Sequence, residues 1–471
     1  MPPAPPAAPS LSIEACIARA LQKNFDLKIE TFNTDIAREA LKAADAAFEP
    51  VFSASGKKQV TQLAPSLGNT RTDTTNLLVG VNELLPTGAT VGLSSSLARY
   101  GESTGVDPAR IIYDPYYNSD VVLTVSQPLL RGFGPAVNRA LIERNQLGVK
   151  IASLNFKSRV LQVVRDTEAA YYNLIFAREN RIVKQHSLEL AQRLFEENKT
   201  RKLTGVATDL DVLSAEVGIA NARNGIVLAE QAVRNSEDAL LALIGQFEFD
   251  SDLGSVALLP YQEPSPSFDL SYKLARENQP DYLAAQEAIK QLQIDVTTAK
   301  NATLPTLNLG GTAGFGGTAR TADRSVGNIT DGDARNWELD LTLSIPWGVH
   351  ADRARYRSSL ASLHQQETRL RQIDQNLLVQ VRSAVRAVDT NTQSVEINAK
   401  ATELATRQYE LELARFKAGL STSRQVLQTQ DDLEATRVNE LLARVSLRIA
   451  IANLHQLESS SLERYHINVA N

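Results

Sequence analysis

Two stretches of this chain are copies of one another. Residues 190–213 and 404–427 align without a gap at a constant offset of 214. Identical pairs fall at Leu190/Leu404, Ala191/Ala405, Arg193/Arg407, Glu196/Glu410, Arg201/Arg415, Gly205/Gly419, Thr208/Thr422, Val212/Val426 and Leu213/Leu427. Each copy reads as a helix that runs into a glycine and restarts behind a Thr or Ser. Glycine supplies the left-handed residue that ends one helix, and a hydroxyl or Asp side chain caps the next. The pattern is a helical hairpin turn, present twice, and a repeated turn implies a repeated fold.

The opening of the chain has a twin as well. Residues 21–27 match 276–282, and 48–56 match 303–311, at an offset of 255; Asp26 pairs with Asp281 and Pro50 with Pro305. A Pro/Ala-rich leader is expected at 1–10. A first repeat follows at 11–245, with strands at about 51–128 and long helices at about 136–245. A linker rich in Pro covers 246–267. The second repeat takes 268–465, with strands at about 306–346 and long helices at about 350–458, and a short tail closes the chain at 466–471.

Two segments, about 136–200 and 350–415, run for some 65 residues without proline, which is about 100 Å of helix at 1.5 Å per residue. In the second, Leu370, Ile373, Leu377, Val381, Ala384 and Val388 keep a 3/4 spacing; in the first, Leu147, Ile151, Leu154 and Leu161 do. An apolar stripe that long needs other long helices to cover it. The return segments, about 207–245 and 421–458, provide part of that cover, and shorter helices at about 26–47 and 281–303 are of a size to supply the rest.

After each of Pro50 and Pro305 the period changes to two. Leu339, Leu341, Leu343 and Ile345 alternate with Glu338, Asp340, Thr342 and Ser344, and Trp337 and Trp347 bracket the run. A tilted strand of this length spans about 25 Å, the height of the apolar band on an outer-membrane barrel with its aromatic girdles. Pro50/Pro305 differ by 255 and Pro128/Pro346 by 218, so the first half carries 37 additional residues between these prolines. They hold a hairpin, Leu77–Leu85 and Ala89–Leu97 about a Pro86-Thr87-Gly88 turn, flanked by long polar connections at about 61–74 and 100–118. This hairpin either adds two strands to a barrel or forms a flap outside it; counting strands decides.

Composition points away from other classes. The net charge is −5 with both signs interspersed, so no basic surface for nucleic acid is expected. No apolar run is long enough for a transmembrane helix. The first residues lack a charged and then apolar signal segment, so an exported chain would begin from a processed form. Cys16 is the one cysteine, sits in a helical pattern and is poorly placed for lipidation. His186, His350, His364, His455 and His466 are scattered. No nucleotide-binding, hydrolase or metal motif occurs, so neither enzymatic activity nor a cofactor or metal is expected. Leu130-Arg-Gly-Phe-Gly-Pro135 reads as a strand-to-helix corner.

Strands, a helix of about 100 Å and a glycine-broken return, all duplicated in order, resemble the outer-membrane efflux protein (TolC) family over nearly all of 11–460. The resemblance implies a mainly α fold with a β-barrel portion. In it, duplicated long helical hairpins form a trimeric α-barrel tunnel topped by a shared transmembrane β-barrel. It implies a homotrimer in the outer membrane and periplasm of a Gram-negative bacterium, serving as the passive exit duct of a tripartite efflux or type I secretion system. Its partners would be outer-membrane lipid, an inner-membrane pump, and a periplasmic adaptor that docks at the helical tips and opens them. The docking residues carried over are Gly205, Val206 and Thr208, and Gly419, Leu420 and Thr422. At the periplasmic aperture the matching region holds Asp209, Asp211, Gln425, Gln428, Asp431 and Asp432; Gln425 and Gln428 stand where the family often has acids. Trp337, Leu339, Leu341, Leu343, Ile345 and Trp347 would face lipid. The competing reading is a periplasmic adaptor or coiled-coil scaffold, which should carry one hairpin rather than a duplicated strand-and-hairpin set.

Overall fold

The computed structural model describes residues 11–62, 71–104, 112–113, 115–245, 254, 266–332 and 334–468. The expected leader, most of the expected linker and the last residues of the expected tail lie outside them. Two compact units form, and each draws on both halves of the chain. One takes the described parts of Met1–Thr34, Ala152–Ala285 and Arg369–Asn471; the other takes Asp35–Ile151 and Gln286–Thr368.

The first unit is helical. Its elements include α1 (Ile13–Lys23), the start of α2 (Phe25–Asp45), most of α4 (Ala140–Leu203), α5 (Asp209–Ile244), α6 (Phe268–Asn278), part of α7 (Pro280–Asn301), most of α9 (His350–Lys417), α10 (Ser423–Glu458) and α11 (Ser461–Arg464). The 64 and 68 residues of α4 and α9 match the proline-free runs. In α4 the buried positions include Val163, Thr167, Tyr171 and Leu174; in α9 they include Leu377, Val381, Val385 and Val388, the same spacing 214 residues later. These stripes fill two cores. Ile17, Ala20, Leu161, Val164, Leu174, Leu240 and Leu241 build one from α1, α4 and α5; Ala275, Leu377, Val381, Val388, Ile451 and Leu454 build the other from α6, α9 and α10. Ala20 and Ala275, twins at an offset of 255, are both fully buried. A methyl side chain there lets a short helix pack close against a long one.

The second unit is built on one antiparallel sheet. A 3-10 turn at Ala46–Phe48 ends α2, and Pro50 precedes β1 (Val51–Gln62). Then come β2 (Arg71–Leu84), β3 (Thr90–Thr104), the two-residue β4 (Ile112–Tyr113), β5 (Tyr116–Pro128), β6 (Thr306–Ala319) and β7 (Ala334–Ser344), with the short helices α3 (Pro135–Asn138) and α8 (Ala322–Asp331). The order across the sheet is β1-β2-β3-β5-β6-β7, with β4 on β3 alone. The additional hairpin is thus part of the sheet. It is also longer than the sequence implies. Arg71–Thr74 and Tyr100–Thr104, read as polar connection, continue the strands because each residue finds a cross-strand partner. Thr61–Gln62, Ile112–Tyr113 and Tyr116–Asn118, also within the expected connections, are strand as well, in β1, β4 and β5; residues 63–70, 105–111 and 114 lie outside the described residues.

Glycines fix the rim where strands meet helices. Gly88 has φ 89°, and a Cβ there would lie 2.3 Å from the Gly132 carbonyl oxygen. Gly134 N–H donates to the Thr87 carbonyl (3.0 Å), Asn138 Nδ2 to the Gly132 carbonyl (2.8 Å), and Gly132 N–H to Asn301 Oδ1 (2.8 Å). The Leu130–Pro135 segment is therefore the corner the sequence implies, locked against the β2–β3 turn.

Candidate functional site: helical tips and a two-faced sheet

The tips are twins in backbone detail. Gly205 and Gly419 both have φ 78°. Gly205 N–H donates to Lys202 carbonyl (3.0 Å) and Val206 N–H to Arg201 carbonyl (2.9 Å). Gly419 N–H donates to Phe416 carbonyl (3.0 Å) and Leu420 N–H to Arg415 carbonyl (2.8 Å). This is the pair of bonds by which a left-handed glycine closes a helix. Thr208 and Thr422 then cap α5 and α10, and each hydroxyl accepts from the backbone N–H three residues on. A Cβ at Gly205 or Gly419 would meet nothing within 4 Å. Around them Leu203, Val206, Leu210 and Leu420 are 65–85% exposed.

The side chains break the symmetry. Arg201 Nη1 donates to the Phe416 carbonyl at 2.6 Å, and its guanidinium lies 4.4 Å from the Phe416 ring centre. Its twin Arg415 instead pairs locally with Glu412 at 3.1 Å. Asn198, fully buried, donates to Ser423 Oγ at 2.7 Å; Gln430 donates to the Ser187 carbonyl at 2.9 Å; Lys184 pairs with Glu434. Leu194, Phe416 and Val426 close a small core beneath the tips. Of these contacts the sequence gives one sign only, the identity of Arg201 and Arg415. It cannot show which of the two reaches across.

The six aperture residues fall into separate groups. Asp211 belongs to a capping box: its Oδ2 accepts from Thr208 N–H (2.9 Å) and Thr208 Oγ1 (2.7 Å), which holds its carboxyl below the usual range. Gln425 plays the equivalent part for Thr422. Asp209 is exposed and pairs with Lys202. Further along α10, Gln428 Nε2 donates to Asp432 Oδ1 at 3.1 Å. Asp431 faces solvent in the single chain, yet partial burial pushes its carboxyl up, and Glu434 and Asp432 push the same way.

The sheet register assigns its faces, because paired residues share a side. One row crosses all six long strands as Trp337, Ala313, Leu123, Leu93, Val81 and Phe52. The neighbouring row, on the opposite face, reads Glu338, Thr312, Thr124, Gly92, Asn82 and Val51. One face is thus apolar and the other mainly polar. Apolar side chains on the first face stand open: Phe52 is 81% exposed, Trp337 80% and Leu341 64%. Leu339, Leu343, Ile345 and Trp347 are exposed as well, although β7 ends at Ser344, before Ile345 and Trp347. Pro346 has no N–H to extend the ladder. The α8 helix seats on the apolar face where Ser325 Oγ, fully buried, lies 2.9 Å from Ser119 Oγ and donates to the Gly317 carbonyl at 2.7 Å.

No described helix is long and apolar enough to cross a membrane, and no cluster of metal-ligating side chains occurs among the described residues. An exposed apolar sheet face is instead what a membrane barrel presents to lipid.

A profile of the outer membrane efflux protein family matches residues 16–246 and 271–458. The chain belongs to that family. It is accordingly an outer-membrane protein of a Gram-negative bacterium, in a family of channels rather than of enzymes. It is similar to the outer membrane protein OprJ of Pseudomonas aeruginosa, 24% identical over 200 residues, covering 42% of this chain and 38% of that relative. The match thus spans well under half of the relative's length. In fold it resembles the outer-membrane channel OprN (TM-score 0.73, 17% identity, 95% of this chain and 89% of that one). It also resembles the Campylobacter jejuni CmeC outer membrane channel (TM-score 0.70, 16% identity, 99% and 94%). These likenesses bear on fold: a mainly helical chain with an antiparallel sheet, of the TolC-like type.

Proposed function

We propose that the chain is the passive exit duct of a tripartite efflux or type I secretion system, working as a homotrimer. The observation that carries this reading is the sheet: one face apolar and exposed, the other polar, with two open edges. In lipid every backbone polar group needs a partner, so an open sheet has to close on further copies of itself. Its apolar face then meets lipid through Trp337, Leu339, Leu341 and Leu343, and its polar face lines a passage. The number three comes from the family resemblance.

In the helical unit, the tips offer an adaptor two equivalent docking elements, Gly205-Val206-Ala207-Thr208 and Gly419-Leu420-Ser421-Thr422. What supports docking there is the open space around both glycines and the exposed Leu203, Val206 and Leu420 beside them. Asp431 and Asp432, repeated in three copies, would form the acidic part of the aperture and attract cations; Asp211 is occupied as a helix cap.

The test is export in cells whose native duct is replaced by variants. Gly205→Glu with Gly419→Glu should cut export of the pump's substrate at least about tenfold while the copy number in the outer membrane stays at three. Unchanged export would reject docking at the tips.

A further inference from the structure

We propose that the β2–β3 hairpin is barrel wall, so that three copies close a barrel of 18 strands through a seam between β1 of one copy and β7 of the next. This rests on the trimeric reading above and adds the strand count: three copies of six long strands make 18. Without the hairpin each copy would bring four.

The register argues for it. β2 pairs with β1 from Val51↔Asn82 to Gln62↔Arg71, and β3 pairs with β5 from Thr90↔Ser126 to Tyr100↔Tyr116. The hairpin therefore separates β1 from β5 along their length. A flap outside the wall would leave those two strands to pair with each other.

The faces argue for it independently. Val81 and Leu93 continue the apolar row without a break, and Gly80 and Ser94 continue the polar side. Leu77 and Val79 on the apolar side are more than half exposed, as lipid-facing residues would be in a single copy. The apolar band also runs diagonally. On β7 it lies from Trp337 toward Leu343, whereas on β2 it lies from Val81 toward Leu77, beyond the Trp337 row in the opposite direction. A band that must stay level in a bilayer takes this diagonal course when strands are tilted, and it takes it across the hairpin too.

The edges fit each other. β1 and β7 are exposed along their whole length and contain no proline, unlike the edges of soluble sheets, which are usually blunted. Six strands is an even number, so β1 and β7 of neighbouring copies meet antiparallel, as in other outer-membrane barrels. On the polar face β1 carries Lys57, and β7 carries Glu338 and Asp340, opposite in sign.

The consequence concerns cargo. Barrel diameter grows roughly linearly with strand number, so 18 strands give about 1.5 times the width of 12, in the range that leaves an aqueous channel. Selection by size then falls to the helical tips, and the barrel passes solutes bulkier than a 12-strand wall would.

Single-cysteine variants Val79→Cys, Leu93→Cys, Ser94→Cys and Ser96→Cys, each made with Cys16→Ala in the full chain and reconstituted into lipid nanodiscs, test this with a water-soluble maleimide. Positions 94 and 96 should label at least about tenfold faster than 79 and 93; equal labelling at all four overturns the proposal. Imaging of the unmodified complex by electron cryomicroscopy gives the second readout. Eighteen strands supports the proposal, and twelve with the hairpin outside overturns it while leaving the trimer intact. A copy number other than three overturns the trimeric reading instead.

Discussion

Arg201 and Arg415 occupy matching places in a repeated sequence and do different things. Arg201 reaches across to the carbonyl and ring of Phe416; Arg415 stays on its own helix with Glu412. A charged donor on a buried acceptor contributes about 1.5–3 kcal/mol, whereas an exposed pair three residues apart contributes about 0.5 kcal/mol or less. Arg201→Ala should therefore loosen the tips, seen as faster amide exchange over 198–210 and 416–426, and Arg415→Ala should leave them nearly unchanged. Equal effects would contradict the clasp. The sequence shows the twin arginines but not the difference, because it depends on a partner 215 residues away. The caps were legible, since they need only neighbours. Thr208 and Asp211 form one. The folded-state pKa of Asp211 is depressed, so the stability it adds is present above the ordinary carboxylate range near 4 and lost as pH falls through the lower folded value. Thr208→Ala should cost about 0.5–2 kcal/mol at neutral pH and remove most of that acid dependence, as read from tip amide exchange against pH.

At the scale of elements, the long helices and β7 were the clearest in the sequence. Sixty-odd residues without proline leave little choice, and strict alternation beside Trp337 sets which side of β7 is apolar. The ends of β2 and β3 were not legible. Arg71–Thr74 and Tyr100–Thr104 are mostly polar, and pairing rather than hydrophobic pattern holds them in the ladder. The α8 helix left no sign either; its seat depends on Ser119, Gly317 and Ser325 meeting across the sheet. The sheet's faces predict opposite fates for neighbouring positions. Leu341→Arg places a charge on the lipid side, costs about 2–4 kcal/mol near mid-bilayer, and should reduce the folded, heat-modifiable form in outer-membrane fractions. Thr342→Arg, one residue on and on the opposite, polar face, should assemble normally. Equal loss from both would mean the faces are wrongly placed.

For the whole molecule, duplication is what made the sequence informative. One tip, one strand or one long helix is a weak signal, but the same order twice leaves few architectures. The repeat reappears in buried positions, where 163, 167, 171 and 174 in α4 answer to 377, 381, 385 and 388 in α9. Among the described residues of a single chain, nothing pairs with the β1 and β7 edges, and an apolar sheet face is exposed. Assembly in a membrane is the physical remedy for both. The most direct test is the mass and location of the intact complex: outer membranes extracted in mild detergent and examined by native mass spectrometry. The expected result is an assembly of three 51.4 kDa chains in the outer-membrane fraction. A stable monomer, or recovery of the protein from the soluble periplasm, would contradict it.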